Sequence, residues 1–351
     1  MEPHVLQHRH PELERLGRIG RTRLANTPTP LLPAPALSAR LGRGVDISVK
    51  ADAWTGLGLG GNKVRKVEYE LDPARLTGVT HLITAGGPHS NHCRVTAAAA
   101  AHLGLGCSLV INGEPEDPAR GNPRLHRLLG ARVVTIADAA HRTRGMAEEA
   151  RRIDSTGGRA LIIPIGASTA RGALGYVHSL VEIHDQYQEA SGPDAAPPWI
   201  FVSSSSGGTL AGLIVGCAIL GWPAPLVGVS PDEPAPTVRR KATELAEAAA
   251  DLLDNTGDDD RPGSLQLTER VEEMGQAVLA TSDFVGPGYG RDTPAGDEAI
   301  ALFGALAGVI LDPVYTGKTA AAMIAWVREG RVPKGAHAIL LHTGGHPALF
   351  R

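Results

Sequence analysis

WIFVSSSSGGTLAGLIVGCAILG (199–221) decides the fold. It enters as an apolar strand, WIFVSSSS (199–206), turns through two glycines, and leaves as the apolar helical stretch GGTLAGLIVGCAILG (207–221). The strand half of this unit recurs along the chain. VDISVK (45–50), THLITAG (80–86), CSLVIN (107–112), ARVVTI (131–136), ALIIPIG (160–166), LVGVSP (226–231) and AILLHTGG (338–345) are mostly continuous apolar runs. Runs without alternation suit strands covered on both faces. Helical material such as NHCRVTAAAAAHLG (91–104) lies between them. The βαβα rhythm predicts parallel sheets, with ligands gathered at the carboxyl ends of strands. At 351 residues two α/β domains are expected rather than one. ELAEAAADLLDNTGDDDRPG (244–263) reads as a helix ending in an exposed acidic turn.

Composition narrows the functional classes. The apolar share is 42% and the net charge −3, so disorder is excluded and the chain is rich enough in apolar residues for a globular core. A charge so near balance argues against nucleic-acid binding, which needs a basic excess. Three cysteines make no disulfide framework, which points to a reducing compartment. No uncharged apolar run of about 18 residues is present, and MEPHVLQHRH (1–10) lacks the apolar centre of a secretion signal. The expectation is a soluble cytoplasmic protein with no membrane contact.

Some motifs are nominal. Gly56, Gly58 and Gly61 match G-x-G-x-x-G after a strand, a weak dinucleotide signal in a chain with 43 glycines. Gly317-Lys318-Thr319 resembles the end of a phosphate-binding loop, but Asp312 stands where its first glycine belongs. His89, His92 and Cys93 lack a further ligand nearby, and polar residues at a helix start explain them better than a metal, so no metal is expected.

Three segments carry more. GGNKVRKVEYEL (60–71) predicts a helix starting near Asn62, with Lys63 and Lys66 one turn apart on one face. Cations at a helix start are unfavourable unless an anion is present. SSSSGGTLAG (203–212) offers successive amides and hydroxyls as a phosphate cup at a helix start, beyond the needs of a cap. GGPHSNHCR (86–94) is another strand–loop–helix junction, with Ser90 as a hydroxyl for substrate-carboxylate or acid–base work. A lysine, a phosphate cup and a polar turn together suggest a phosphate-bearing aldehyde cofactor held as a Schiff base.

These segments, with TPTPLLPAPALSARLG (27–42), LDPVYTGK (311–318) and HTGG (342–345), resemble the pyridoxal-phosphate (PLP) enzymes of fold type II over nearly the whole chain. Within them the resemblance is to the D-cysteine desulfhydrase and 1-aminocyclopropane-1-carboxylate (ACC) deaminase family. It implies an α/β fold of two three-layer (αβα) domains with mostly parallel sheets, like the tryptophan synthase β subunit. Residues 54–165 would form the small domain; residues 1–53 and 166–351 would form the large PLP-binding domain. It further implies a homodimer acting on a small amino acid. Lys63 would carry the cofactor. Lys66 and the loop Ser205, Ser206, Gly207, Gly208 and Thr209 would hold its phosphate, and Asn91 would contact its phenolic oxygen. Ser90, Tyr289 and Tyr315 would join Lys63 as catalytic groups.

One position separates two activities. ACC deaminases carry Glu after the tyrosine of DPVY, near the pyridine nitrogen, where this chain has Thr316; Thr343 of HTGG likewise replaces their usual Leu. A neutral hydroxyl cannot hold the ring nitrogen protonated as a carboxylate can. Both positions match the desulfhydrase pattern, α,β-elimination of D-cysteine to pyruvate, ammonia and sulfide. ACC deamination, L-cysteate desulfonation and β-replacement are the alternatives. KADAW (50–54), SSSSGGT and GPGYGRDTP (286–294) depart from the family's usual wording and border the pocket.

Overall fold

The computed structural model describes residues 11–115, 117–256 and 267–351. Within them the strands, in chain order, are β1 (Leu31–Pro33), β2 (Asp46–Lys50), β3 (His81–Gly86), β4 (Gly106–Asn112), β5 (Arg132–Ile136), β6 (Ala160–Ile162), β7 (Trp199–Ser203), β8 (Leu226–Val229), β9 (Leu279–Thr281) and β10 (His337–Leu341). The larger sheet runs β1-β2-β10-β7-β8-β9; only the β1–β2 pair is antiparallel. The smaller sheet, β5-β4-β3-β6, is parallel throughout.

Each sheet is covered on both faces, which is why its strands read as unbroken apolar runs. Ile200, Val202, Ile339 and Leu341 pack with Leu180, Leu213 and Ala246 from the helices Ala170–Ser191, Gly208–Leu220 and Ala235–Asp254. Their neighbours Phe201, Ala338 and Leu340 face the opposite side, against Phe303 and Trp326 from the helices Pro294–Ala307 and Thr316–Arg328. In the smaller sheet Leu82 and Leu109 meet Val95 and Ala99 of the helix Asn91–His102, while Ile83 and Val110 meet Met146 and Ile153 of the helix Arg142–Ser155. Period-two alternation thus feeds two cores per sheet, giving a three-layer αβα arrangement in both.

Several boundaries differ from the sequence expectation. The run ALIIPIG ends as a strand at Ile162, because Pro164 has no amide hydrogen and the chain turns through Ile165–Ala167 with Gly166 at φ 69°. WIFVSSSS stops pairing at Ser203, and the next three serines form the turn itself. The three-residue edge strands β1 and β9 were not expected. The helix expected from residue 244 begins at Ala235 and ends at Asp254; the acidic stretch after residue 256 and residues 1–10 lie outside the described residues. No helix among the described residues is long and apolar enough to cross a membrane.

A buried ion network joins these parts. Arg65, on the helix Asn62–Glu70, donates from Nε and Nη2 to Asp52 at 2.9 Å each, and to Glu182 at 2.8 and 2.7 Å. Lys50 at the end of β2 donates to Glu182 at 2.7 Å, and Tyr176 donates to Asp52 at 2.7 Å. Burial alone would raise the Asp52 carboxyl; Arg65 and Lys50 outweigh it and hold it below its ordinary value. The KADAW segment therefore keeps one carboxylate, and that carboxylate locks the lysine-bearing helix to the larger sheet. Removing one partner leaves buried charge uncompensated. Arg65→Met is expected to lower unfolding stability by about 3–5 kcal/mol, read from denaturant midpoints. A loss below about 1 kcal/mol would contradict a structural role for the network.

Candidate active site

The carboxyl ends of the strands converge on the helix Asn62–Glu70. Its start is fixed by backbone: the Asn62 amide donates to the Thr343 carbonyl at 2.9 Å, and the Gly61 amide to that of Asp52 at 3.2 Å. Gly61 has φ 109° and Gly344 φ 93°; a Cβ on Gly344 would lie 2.8 Å from the Gly61 Cα. Gly61 of GGNK and Gly344 of HTGG therefore serve close backbone approach, each to the other. Of the nominal G-x-G-x-x-G series only Gly61 belongs to this contact; Gly56 faces Asn26 and Gly58 faces Ala98.

Lys63 and Lys66 are enclosed where the helix begins. Burial lowers the Lys63 ammonium from its ordinary 10.5 to about 8. Lys66 is fully buried, and burial together with the charge of Lys63 lowers it further. Its Nζ donates to Ser168 Oγ at 2.6 Å, and Ser168 Oγ lies 2.6 Å from Ser206 Oγ. Among the described residues neither lysine pairs with a carboxylate. Glu70, on the same helix, is taken by Arg75 at 2.7 Å and by the Thr169 hydroxyl.

The serine–glycine loop lies against Lys66. Gly207 has φ 82°, and a Cβ on Gly208 would stand 2.7 Å from Lys66 Nζ, so only glycine leaves that space open. Thr209 Oγ1 accepts from Asn62 Nδ2 at 3.0 Å. Ser204 Oγ is buried without a hydrogen-bond partner among the described residues. Ser205 turns away and donates to Asp232 at 2.8 Å.

The 86–94 turn contributes from the smaller sheet. Ser90 caps the helix Asn91–His102, its Oγ accepting the Cys93 amide at 3.2 Å. Asn91 Oδ1 accepts from Asn122 Nδ2 at 3.0 Å and from Arg94 Nη2 at 3.4 Å. Arg94 is a third buried cation without a carboxylate; it donates to the carbonyls of Gly58 and Gly60, and burial lowers it to about 10. His92 shares a 2.8 Å hydrogen bond with Thr84. Among the described residues no three His, Cys, Asp or Glu side chains gather as metal ligands.

Tyr289 and Tyr315 meet hydroxyl to hydroxyl at 2.5 Å, rings edge-on with centroids 6.0 Å apart. Burial raises the Tyr315 phenol well above its ordinary 10, and Tyr289 and Asp312 add to the shift. Burial raises Tyr289 as well, although the ring is 55% exposed. Thr316 is fully buried: its hydroxyl donates to Asp312 Oδ1 at 2.7 Å and accepts the Asp312 amide at 2.8 Å. Asp312 also accepts the amides of Val314, Tyr315 and Thr316 at 2.9 Å each, building the turn that carries Tyr315. Tyr289 is held by Lys318, which donates to the carbonyls of Val285 and Gly288 at 2.7 and 3.1 Å. On the other side Arg351 donates to Gly290 at 2.7 Å and pairs with Asp292.

Sequence reading missed Ser168, Arg94, Asn122, Asp312 and Arg351 at this site. GAST (166–169) carried a usable signal for Ser168, since it is a further glycine–hydroxyl turn opening a helix. Lys318 stands out in the sequence as the last residue of LDPVYTGK and in a failed phosphate-loop match, neither of which gives it a role at the site.

Desolvated lysines without an anion and a glycine cradle beside an ammonium both suit a bound phosphate. The fold and the site thus define an α/β enzyme built around an anionic cofactor. The chain belongs to the pyridoxal-phosphate dependent enzyme family, whose pattern matches residues 22–344. A protein of Klebsiella pneumoniae named D-cysteine desulfhydrase is 37% identical over 343 residues, covering 96% of this chain and 98% of its own. The same name and identity hold for a Salmonella paratyphi B protein over 348 residues, again 96% and 98%. A crystal structure described as an ACC deaminase homologue superposes with TM-score 0.81 and 31% identity, covering 100% of this chain and 97% of that one. A threonine deaminase, 21% identical with TM-score 0.62 over 95% of this chain and 96% of its own, shares the fold type II architecture.

The lowered Lys63 value gives a direct expectation. A lysine at about 8 is half neutral at that pH, whereas one at 10.5 is about 0.3% neutral. In cofactor-free protein, acylation of Lys63 by a small amine-reactive reagent, followed by peptide mass mapping, is expected to rise with a midpoint near pH 8. A midpoint above about 10 would contradict the desolvated site.

Proposed function

We propose that this enzyme is a lyase that eliminates the β substituent of a small amino acid, with D-cysteine as substrate and pyruvate, ammonia and sulfide as products. D-cysteine and one water balance those three products. The observation that carries the reading is Thr316: a neutral residue, its only hydroxyl proton given to Asp312, stands where the ACC deaminases have a carboxylate. The desulfhydrase relatives at 37% identity over 96% of the chain support the same substrate.

Bound pyridoxal phosphate supplies an aldehyde that condenses with amines and a ring that accepts the electron pair released at Cα. Lys63 Nζ would be its covalent partner. Lys66, Ser206 and the loop through Gly207, Gly208 and Thr209 would hold its phosphate, and Asn91 would donate to its phenolic oxygen. Ser205, bonded to Asp232, would contribute its backbone rather than its hydroxyl.

The remaining work falls to residues of the chain. Lys63, brought to about 8 by burial, loses and regains its proton near neutrality, so its free amine can take the Cα proton at Nζ. Tyr289 and Tyr315 are raised and keep theirs, which suits the pair to donate hydrogen bonds to the departing sulfur. The Ser90 hydroxyl accepts the Cys93 amide, and its own hydrogen would serve the substrate carboxylate.

The proposal includes the domain division at 54–165, supported by the confinement of β3–β6 to residues 81–162. It also includes a homodimer. A cytoplasmic location is part of it too, supported by the free, buried thiols of Cys93, Cys107 and Cys217.

Purified protein is expected to release sulfide and pyruvate in equal amounts from D-cysteine, in preference to L-cysteine, L-cysteate and ACC. Lys63→Ala is expected to lose at least about 10³-fold in rate. Opening of ACC to 2-oxobutyrate with no sulfide from D-cysteine would overturn the reading.

A further inference from the structure

Asn91 is symmetric in shape about its amide: turned over, it would fill the same space but present a carbonyl oxygen instead of an N–H. Shape cannot decide its orientation, so its hydrogen bonds must. Two groups of single capacity settle them. The His89 carbonyl only accepts, and Asn122 Nδ2 lies 2.7 Å from it. The Arg94 guanidinium only donates, and it points at Asn91 Oδ1. Asn122 Nδ2, oriented by His89, then donates its second hydrogen to Asn91 Oδ1 at 3.0 Å. The Nδ2 edge of Asn91 is thereby turned away from Asn122.

Asn122 is 1% exposed, in the first turn of the helix Gly121–Leu128, and its own Oδ1 is buried without a partner among the described residues. An apolar residue of similar shape would avoid that unsatisfied oxygen. The donor side of its amide is therefore the part the site uses.

We propose that Asn122 is a positioning residue that holds the Asn91 amide with its N–H edge toward the bound cofactor. This rests on the reading that Asn91 meets the cofactor's phenolic oxygen. Toward an ionised oxygen the N–H edge attracts and the carbonyl edge repels, so the orientation set at residue 122 tunes the ionisation of a group it does not touch.

The test is a pH titration of the cofactor's visible band in loaded protein. Wild type, Asn91→Ala, Asn122→Leu, Asn122→Asp and the two double variants are compared, with cofactor content and circular dichroism as folding controls. Losing an N–H donor destabilises the ionised oxygen, so Asn91→Ala is expected to move the midpoint up by about one pH unit. Asn122→Leu is expected to move it up by at least half as much, and to add nothing in the Asn91→Ala background. Asn122→Asp introduces a charge whose effect persists in that background; only the non-additive part of its shift reports orientation. If Asn91→Ala leaves the midpoint unmoved, the Asn91 contact fails and the proposal falls with it. If Asn91→Ala shifts the midpoint while both Asn122 changes act additively or not at all, the contact stands and the role of Asn122 is overturned.

Discussion

Lys63, Lys66 and Arg94 are desolvated around one set of strand ends, and among the described residues none of them has a carboxylate partner. An uncompensated buried cation is among the costliest groups a fold can carry. The nearest candidate for Lys66, Glu70, is occupied by Arg75 and Thr169 instead. The chain thus keeps its own acids away from these positions, and in the proposed function the charge that balances them is that of the cofactor. The glycine loops, the serine turn and the Asn62 contacts all follow from enclosing cations while leaving room beside them.

One helix manages opposite electrostatic tasks within four residues. Lys63 and Lys66, three apart, share a face, with Lys66 against the serine loop, whereas Arg65 between them turns to Asp52 and Glu182. The paired cation binds the helix to Asp52, just past β2, and to the helix Ala170–Ser191; the unpaired ones stay available. Gly175 permits this closeness, since a Cβ there would lie 2.2 Å from the Arg65 carbonyl. The tyrosine side of the site is held in the same manner by backbone capture: Asp312 shapes the Tyr315 turn, and Lys318 and Arg351 grip carbonyls on either side of Tyr289.

The long apolar strands and the GGNKVRK helix were legible in the sequence because their determinants are local: unbroken apolar runs, a glycine pair and lysines one turn apart. β1 and β9 were not, being three residues long, at sheet edges and only partly buried. The partners of the site residues escaped for another reason. Asn122 lies 31 residues from Asn91, and Ser168 lies 102 from Lys66, so only the packing of separate helices brings them together. Ser205 and Thr316 stood out in the sequence, but not the direction of their hydroxyls: that of Ser205 turns to Asp232, 27 residues away, and that of Thr316 closes the turn begun at Asp312.

The central claim is that the charge imbalance at these strand ends exists for pyridoxal phosphate joined to Lys63. Borohydride reduction of the loaded protein, followed by proteolysis and mass mapping, tests it most directly. A phosphopyridoxyl group is expected on Lys63 alone, at close to one per chain. A label on Lys66 or Lys318, or a loaded protein in which no lysine is labelled, would contradict it.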